Sequence, residues 1–364
     1  MNRFGVDQLM STHRFRFAAT LLLLLLLAVI AACQPVTAPA AGTPGDTRGE
    51  SNAPAKIVIY SGRNENLVGP LITQFTQETG IQVEVRYGST PELAATILEE
   101  GRNSPADVFF AQDAGSLGAL SKAGIFAPLP ADLLDDVPAA LQSDQGDWIG
   151  ISGRARVLVY HTAQLTEADL PDTIWGLTEE TWRDRVGWAP TNASFQSFVT
   201  ALRVLEGEDR AREWLEAMLA NGVQQYPNNN TIVQAAASGE IAVGLTNHYY
   251  LYRFLAEQGE GFGARNYYFR EANAGSIINI AGVGILTTAR NPEAAQAFVE
   301  YLLSRSAQEY FAQQTFEYPL IESDIQLPDI LKPLSEIAIP DLDLSDLDDL
   351  TSTLALLQEV GALD

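Results

Sequence analysis

Two adjacent tyrosines, Tyr249 and Tyr250, have the most suggestive chemistry in this sequence. They stand in the stretch LTNHYYLYRF, which begins at Leu245. A phenol has a reference pKa of about 10 and is neutral at pH 7, but a bound multivalent cation stabilises its deprotonated, oxygen-ligand form. Paired tyrosines at a helix start are also common in aromatic cores. The pair therefore predicts either ligands for a hard cation or core packing.

The elements around the pair favour exposure to a cleft. IAVGLTN has the character of a strand, and YYLYRFLAEQG has helical spacing that stops at a glycine. Adjacent side chains within a helix point about 100° apart, but the backbone at a strand–helix junction is not yet regular, so both rings can reach one cleft. Tyr252 falls on another face and is predicted to pack. His248 is predicted to support a ligand or to lie at the surface rather than to bind an ion.

The part of the chain that begins at Lys56 alternates between strand and helix patterns. The strand-like runs are KIVIYSG, IQVEVRYG and ADVFFAQD, and the helical runs are LVGPLITQFTQETG, TPELAATILEEG and AGSLGALSKAG. This alternation is typical of a parallel sheet with helices on both faces. Two long strand-like segments, near 150–162 and 267–285, are predicted to cross between two lobes. Ligands bind at such interfaces and at the carboxyl ends of strands.

The remaining segments are predicted to be mostly helical. They are TEETWRDRVGWAPTNASFQSFVTALRVLEG, REWLEAMLANG, NNTIVQAAASGE and NPEAAQAFVEYLLSRSAQEYFAQQ. The acidic tail ends in a leucine-spaced helix, predicted to be solvated on one face and packed on a lobe. Its run DLDLSDLDD lacks the central glycine of a calcium loop.

The N-terminus predicts export and lipid anchoring. Basic residues precede the apolar run FAATLLLLLLLAVIAAC, which is the pattern of a secretory signal. A transmembrane anchor is disfavoured because a Pro/Ala/Thr-rich stretch follows without a stop-transfer pattern. The residues before Cys33 resemble a bacterial lipobox, so we predict a signal peptide over 1–32, a lipidated Cys33, and a flexible linker over 33–55. Ordinary signal cleavage is the alternative.

Composition excludes several classes of function. The formal charge of the chain is −24, from 46 acidic and 22 basic residues, and such a surface repels phosphate backbones, which argues against nucleic-acid binding. The lone cysteine excludes disulfides within the chain and a cysteine-rich metal site. The sequence has no G-x-S-x-G, H-E-x-x-H or P-loop pattern, so we predict that the protein is not an enzyme. A hydrolase using Glu65 and Asp113 as paired carboxylates is the disfavoured alternative.

A set of segments in order along the chain carries a family resemblance. They are IVIYSGRNENLVGPLITQFTQETGIQVEV, SPADVFFAQDAGSLGALSKAGIFAPLP, DWIGISGRARVLVYHT, GWAPTNASF, VQAAASGEIAVGLTNHYYLYRF and FEYPL. Together they resemble the periplasmic ferric-iron-binding proteins of bacterial ABC importers. The resemblance implies a two-lobed type II binding-protein fold of class α/β, with two mixed sheets flanked by helices and a cleft at a two-segment hinge. Lobe 1 is then 56–150 plus about 279–325, and lobe 2 is 151–278 plus about 326–364.

The resemblance implies that Tyr249 and Tyr250 bind ferric iron as phenolates. At first-lobe positions where relatives often carry a histidine and a carboxylate, this chain has Asn64, followed by Glu65, and Gln112, followed by Asp113. We therefore predict Tyr249, Tyr250, Glu65 and Gln112 as metal ligands. Two phenolates and one carboxylate would neutralise a trivalent ion, and oxygen donors suit a hard cation.

A synergistic anion, carbonate or phosphate, is implied at a helix start in the second lobe. The matching residues are Asn192, Ala193, Ser194, Asn229 and Asn247, with Arg63 as a further partner. Free N–H groups at a helix start bind anions, and a plain N-cap is the alternative. Arg154 and Arg156, two apart on a predicted strand, are candidates for either an anion contact or a hinge salt bridge.

The implied partners are an ABC permease and its ATPase. The protein is predicted to be a monomer in the cell envelope, held by Cys33 on the outer face of the cytoplasmic membrane. The alternative function keeps the fold and changes the ligand to another small solute, such as an organic cation, an anion or a thiamine-like compound, on which the aromatic rings could stack.

Overall fold

A computed structural model describes residues 55–321 and 324–363. The predicted signal peptide, Cys33 and nearly all of the predicted linker lie outside the described residues. The strands are β1 Lys56–Ser61, β2 Gln82–Tyr87, β3 Val108–Ala111, β4 Trp148–His161, β5 Val186–Trp188, β6 Gln224–Gln225, β7 Val243–Asn247, β8 Ala264–Tyr267, β9 Ile278–Ile285 and β10 Tyr318–Pro319.

The helices of the described ranges lie mostly between these strands. They are α1 Glu65–Thr79, α2 Thr90–Glu100, α3 Ala114–Lys122, α4 Ala131–Leu134, α5 Ala193–Glu206, α6 Glu208–Ala220, α7 Asn229–Ser238, α8 His248–Gln258, α9 Pro292–Leu303, α10 Arg305–Gln314 and α11 Leu350–Glu359. Within the two described ranges no helix has both the length and the apolar character needed to span a membrane.

The strands form two groups that meet in β4. The order across the sheet is β2-β1-β3-β9-β4-β7-β5-β6, with β8 and β10 also paired to β4. Residues 148–155 of β4 pair with β9, whereas residues 156–161 pair with β7 and with the whole of β8. We call the strands on the β9 side, with β10, the first group, and those on the β7 side, with β8, the second group. One long strand therefore connects both groups.

In the first group, β1 lies between β2 and β3 and is parallel to both. In the second group, β5 is parallel to both β6 and β7. After each of these strands, the chain leaves the sheet at the carboxyl end of the strand. In such sheets, ligands bind in the crevice outside the carboxyl ends of the strands, so topology alone brings the segments after β1, β2 and β3 to one edge.

Local capping explains why several helices start and stop where they do. Asn64 accepts a hydrogen bond from the Asn66 N–H at 2.9 Å and opens α1. Gly80 ends α1 with a φ of 75°, a left-handed conformation that glycine adopts without steric cost. Asn228 caps α7 through the Thr231 N–H, and Gly239 ends it with a φ of 79°. The glycines and polar caps that the sequence shows are therefore the actual boundaries.

Aromatic side chains fill the core of each group. In the first, Phe75 packs edge-on against Phe298 with ring centroids 5.1 Å apart. In the second, Trp214 packs edge-on against Phe198 at 5.4 Å and tilted against Trp188 at 6.0 Å. Rings of this size bury much apolar surface and favour such edge-to-face geometry.

Three segments differ from the predicted pattern. The region predicted to be mostly helical contains β5, whose three buried residues, VGW, pair with β6 and β7; a strand this short has no readable period. The long strand-like segment after 267 is interrupted by a turn at Ala274–Ser276, which Asn273 caps. The acidic tail helix α11 packs on α5, and the turn Leu344–Asp348 before it packs on α3.

Candidate metal-binding cleft

A cavity of about 650 Å³ brings all four predicted metal ligands together. Tyr249 and Tyr250 line it from the start of α8, and Glu65 and Gln112 line it from the first group of strands. Arg63 also lines this cavity, which we call the cleft. Glu65 is the first residue of α1 and is exposed, and Gln112 directly follows β3 and is half-buried.

The two tyrosine rings are stacked on each other at the junction of β7 and α8. Their centroids are 4.1 Å apart and the ring planes differ by 29°. Tyr249 is 1% and Tyr250 9% exposed. The junction holds both rings toward the cleft, because β7 ends at Asn247 and the helix begins at His248. Tyr252 instead turns away, and its hydroxyl lies 3.2 Å from that of Tyr268.

Buried charges lie behind the tyrosines. Arg63 forms an ion pair with Glu317, and the two side chains are 1% and 0% exposed. Glu317 also accepts a hydrogen bond from the Ser152 hydroxyl. Arg154 donates to the backbone oxygens of Gln112 and Ile280. Neither Arg154 nor Arg156 is in an ion pair within the described ranges, so the predicted hinge salt bridge does not form there.

Burial and charge act in opposite directions on Tyr249. Burial raises the pKa of the Tyr249 phenol well above its ordinary value, and the adjacent Tyr250 adds to this effect. The positive charges of Arg63 and Arg154 act to lower that pKa. Burial also lowers the pKa of Arg154, and the nearby positive charge of Arg63 lowers it further. Tyr249 is therefore a neutral phenol in the absence of a bound ion. A cation of higher charge that approaches its oxygen would stabilise the phenolate more than the two arginines do.

His248 is structural rather than ligating. The Ala155 N–H donates to its Nδ1 at 3.1 Å, and its Nε2 donates to the Phe316 oxygen at 2.7 Å. Both ring nitrogens are thus used by backbone groups in a neutral imidazole. Burial lowers the pKa of His248 to about 4. The residue fixes the start of α8 against β4 and the segment before β10, and in this way it positions Tyr249.

Gln112 and Asp113 take different positions after β3. The Gln112 N–H donates to the Thr90 hydroxyl at 3.1 Å, and that hydroxyl lies 1.9 Å from where a Cβ on Gly62 would stand. Only glycine therefore fits at position 62, and the close approach fixes the segment that carries Gln112. Asp113 caps α3 through the Ser116 N–H at 2.9 Å and accepts from the Ser197 hydroxyl at 3.1 Å. It does not line the cleft.

Three of the six predicted anion residues, Asn192, Ser194 and Asn229, form one hydrogen-bonded cluster at the start of α5. The Asn192 Oδ1 accepts from the Ser194 N–H at 3.0 Å and the Ser194 hydroxyl at 2.6 Å. The Asn229 amide lies 3.4 Å from the same oxygen. Three donors thus converge on one side-chain oxygen, and Asn192 is a true N-cap. Ala193 lines an adjoining cavity of about 430 Å³, which shares Gln112 and Asn192 with the cleft.

Two of the predicted polar residues face other surroundings. Arg156 stacks on Phe198, with its guanidinium carbon 4.5 Å from the ring centroid, and donates to the Ser194 oxygen at 3.3 Å. Burial lowers the pKa of Arg156 to about 9. Asn247 is 1% exposed, does not line the cleft, and its amide nitrogen has no hydrogen-bond partner in the described part of the chain.

Sequence reasoning missed several residues at the cleft. Tyr87, Arg253, Asn228 and Asn230 line it, and Glu317 lies behind it. The position of Tyr87 could have been found, because it lies at the end of a run that the sequence predicts as a strand of the parallel sheet. Glu317 could not, because it meets Arg63 across 254 positions of sequence. Among the described residues, no group of three or more His, Cys, Asp and Glu side chains could hold a metal.

Comparison with known proteins defines the class. Residues 70–333 match the family model described as "Bacterial extracellular solute-binding protein", and the chain belongs to this family. The iron-bound structure of HitA from Pseudomonas aeruginosa superposes with a TM-score of 0.81 at 35% identity, covering 85% of this chain and all of that one. The predicted two-lobed α/β fold is thereby confirmed.

The particular relatives are iron-binding proteins. The chain is 34% identical over 315 residues to the "Fe(3+)-binding periplasmic protein" of Serratia marcescens, covering 86% of this chain and 92% of that protein. A Trichodesmium protein, titled "(IdiA) (FutA) in complex with iron and citrate ligands", superposes with a TM-score of 0.73 at 30% identity, over 84% of this chain and 99% of that one. The Serratia protein is named as a periplasmic binding protein, and the titles of the two solved structures record bound iron.

Proposed function

We propose that this protein captures ferric iron in the cleft and delivers it to an ABC permease. The observation that carries the proposal is the buried, stacked pair of Tyr249 and Tyr250 at a strand–helix junction, facing Glu65 across one cavity. Phenolate and carboxylate oxygens are hard donors that suit a small trivalent cation. Relatives named for ferric-iron binding share the fold over most of their length.

Capture requires the two phenols to lose their protons. As iron binds, each O–H bond breaks, the proton passes to solvent, and the oxygen binds the ion. Arg63 and Arg154 already favour the phenolate form of Tyr249, and Glu317 offsets part of the positive charge that would otherwise repel the incoming ion. With Glu65 the two phenolates provide three negative charges, which equals the charge of the ion.

An anion is proposed to complete the shell beside the start of α5. The Ser194 N–H, the Ser194 hydroxyl and the Asn229 amide converge on the Asn192 oxygen. An anion oxygen could take the place of that acceptor, because the same donors would then point at it. Carbonate and phosphate both have suitable oxygens. Gln112 contributes an amide group at the rim that the two cavities share.

The two lobes are proposed to be 56–150 plus about 279–325, and 151–278 plus about 326–364. The division of β4 between two groups of strands supports a hinge there, since closure needs only small changes in the connecting segments. Lipidation of Cys33 would hold a monomer on the outer face of the cytoplasmic membrane, where the permease and its ATPase receive the iron.

The test is iron binding by the double variant Tyr249→Phe/Tyr250→Phe. Protein purified without chelator is expected to contain iron and to show a red-orange phenolate-to-iron absorption band on titration with ferric citrate. The double variant should lose both the band and the iron, because phenylalanine keeps the rings and removes the ligand atoms. Tyr252→Phe is the matched control, since it lies on the same helix with its hydroxyl turned to Tyr268.

Two results would overturn the proposal. One is iron in the double variant at the same stoichiometry as in the unmodified protein. The other is the absence of any band in the unmodified protein. If the unmodified protein shows no band and retains an organic cation, the alternative is favoured. The protein would then bind another small solute, which lies against the rings of Tyr249 and Tyr250.

A further inference from the structure

Tyr87 lies at the edge of the first group where the cleft opens. It is the last residue of β2 and pairs in register with Ser61, the last residue of β1. Ser61 pairs on its other side with Phe110 of β3. The three strands are parallel, so their carboxyl ends meet at one edge. Tyr87 therefore enters the cleft at the same level as the segments that carry Glu65 and Gln112.

The side chain of Tyr87 points over the first turns of α1. A Cβ placed on Gly69 would lie 3.9 Å from the Tyr87 hydroxyl and 3.4 Å from Cγ of Glu65. The hydroxyl and the stem of Glu65 thus share the space that Gly69 leaves open. Tyr87 is half-buried and lines the cleft together with Tyr249 and Tyr250.

The hydroxyl of Tyr87 is not committed to the fold. Among the described residues it makes no hydrogen bond within 3.5 Å. The neighbouring strand offers a contrast, since the Tyr60 hydroxyl lies 2.9 Å from a carboxylate oxygen of Glu100. Tyr226, directly after β6, likewise donates to Glu240 at 2.7 Å. A phenol that faces a polar cavity and holds no protein partner is free to bind a ligand of that cavity.

We propose that Tyr87 is the first-lobe phenolate ligand for the cation, acting beside Glu65. This inference rests on the proposed function. On binding, the phenolic O–H bond breaks, the proton passes to water, and the oxygen binds the ion. Three phenolates then balance a trivalent cation, and Glu65 adds a fourth negative charge. The positive charge of Arg154 acts on both inner tyrosines, and Arg154 has no acidic partner within 4.0 Å in the described ranges. Tyr87 thus supplies the strong first-lobe donor that neither Asn64 nor Gln112 can.

The test compares Tyr87→Phe with the unmodified protein and with Tyr226→Phe as a control outside the cleft. All three are titrated with ferric citrate. In Tyr87→Phe, the phenolate-to-iron band is expected to fall by roughly one third and to shift in wavelength, since one of three phenolates is lost. About one proton fewer should be released per iron bound, and affinity should fall at least about tenfold. Tyr226→Phe should match the unmodified protein in all three measurements.

A second variant tests the same space without touching the tyrosine. Gly69→Leu places a side chain between the Tyr87 hydroxyl and Glu65. Because Pro70 follows this position inside α1 and a Cβ before proline disfavours the helical conformation, circular dichroism of the variant checks that the fold is retained. It is expected to reproduce the smaller band and the lower proton release. These results would support the proposal.

The outcomes separate this inference from the proposed function. If the unmodified protein shows the band and Tyr87→Phe has the same band, proton release and affinity, then Tyr87 is not a ligand and the proposed function stands. If the unmodified protein shows no band, both fail together. A lower affinity in Tyr87→Phe with an unchanged band and unchanged proton release would also overturn the ligand role, because it would assign Tyr87 to packing.

Discussion

The two walls of the cleft are built in opposite ways. The inner wall consists of Tyr249, Tyr250 and Arg63, all buried and held by neighbours. The outer wall consists of Glu65, Tyr87 and Gln112, which are exposed or half-buried. Burial raises the pKa of Tyr249 well above its ordinary value, so the inner wall exchanges protons for the ion, whereas Glu65 on the outer wall offers an exposed carboxylate.

This difference indicates which wall contributes more to the affinity for iron. A buried group that is fixed before the ligand arrives loses little side-chain entropy on binding, whereas an exposed side chain must be ordered at that moment. Water also screens the charge of an exposed carboxylate. We therefore expect changes at the inner wall, or in the residues behind it, to cost far more than changes at the outer wall.

The largest expected effect is that of pH on iron affinity. Tyr249 is protonated in the metal-free protein, so binding releases its proton, and affinity falls as pH falls at every pH below the phenol's own pKa. Two phenols at the inner wall give a loss of about a hundredfold per pH unit, and Tyr87 adds a further factor of about ten. The measurement is competition with a chelator between pH 8 and pH 6, corrected for protonation of the chelator.

The single variant Tyr249→Phe is the control for this slope. In this variant the loss of iron affinity per pH unit should be about tenfold smaller, because one proton fewer is released when iron binds. An affinity that does not vary with pH would show that no phenol is deprotonated on binding. That result would remove the distinction between the two walls, since both would then act through neutral or already charged groups.

The next largest effect concerns the ion pair behind the inner wall. Glu317→Gln keeps the shape of the side chain but leaves the Arg63 charge buried without a counter-charge. Removing one partner of a buried pair costs about 3–5 kcal/mol, so we expect the free energy of unfolding of the metal-free protein to fall by about 3 kcal/mol, with the amide retaining part of the hydrogen bonding. Urea denaturation measures the change.

An exposed pair provides the matched comparison. Glu180 lies 2.6 Å from Arg183, with side chains 77% and 49% exposed. Glu180→Gln should leave the midpoint of urea denaturation nearly unchanged, because solvent screens such pairs. Equal losses in Glu317→Gln and Glu180→Gln would mean that the charge behind the inner wall is not isolated from water.

Much of the fold could be predicted because its signals are local. The glycines after α1 and α7, and the asparagines before them, fix helix ends through their own backbone geometry. The junction between β7 and α8 could be placed because a strand pattern gives way to helical spacing there. The three-residue strand β5 could not, because its strand character comes from pairing with β6 and β7 rather than from its own pattern.

The candidate site could be predicted only in part. The tyrosine pair was visible because both residues stand at one readable junction. The pairing of Arg63 with Glu317 has no local signal, since only the tertiary fold brings these residues together. Asp113 follows the predicted ligand Gln112 in the sequence, but the start of α3 uses its carboxylate as a cap. Whether a carboxylate binds a ligand or caps a helix depends on the hydrogen bonds of the folded chain. The spacing of residues in the sequence does not show those hydrogen bonds.

The smallest expected effect is at the outer wall. Glu65→Gln removes one exposed carboxylate and should weaken iron binding about tenfold, equivalent to about 1.4 kcal/mol, because screening limits what that charge contributes. Glu78→Gln, at the exposed far end of the same helix α1, is the control and should leave affinity unchanged. No change in Glu65→Gln would place Glu65 away from the ion.

A double variant that moves the carboxylate within the outer wall distinguishes an effect of its charge from an effect of a direct bond to the ion. Gln112 also lines the cleft, so the double variant Glu65→Gln/Gln112→Glu restores the number of carboxylates and moves one of them to the end of β3. If the outer wall acts through its charge, the double variant should recover most of the tenfold loss in chelator competition. If affinity stays at the level of Glu65→Gln, the carboxylate acts through a direct bond made only from the start of α1, and the outer wall is then as specific in geometry as the inner one.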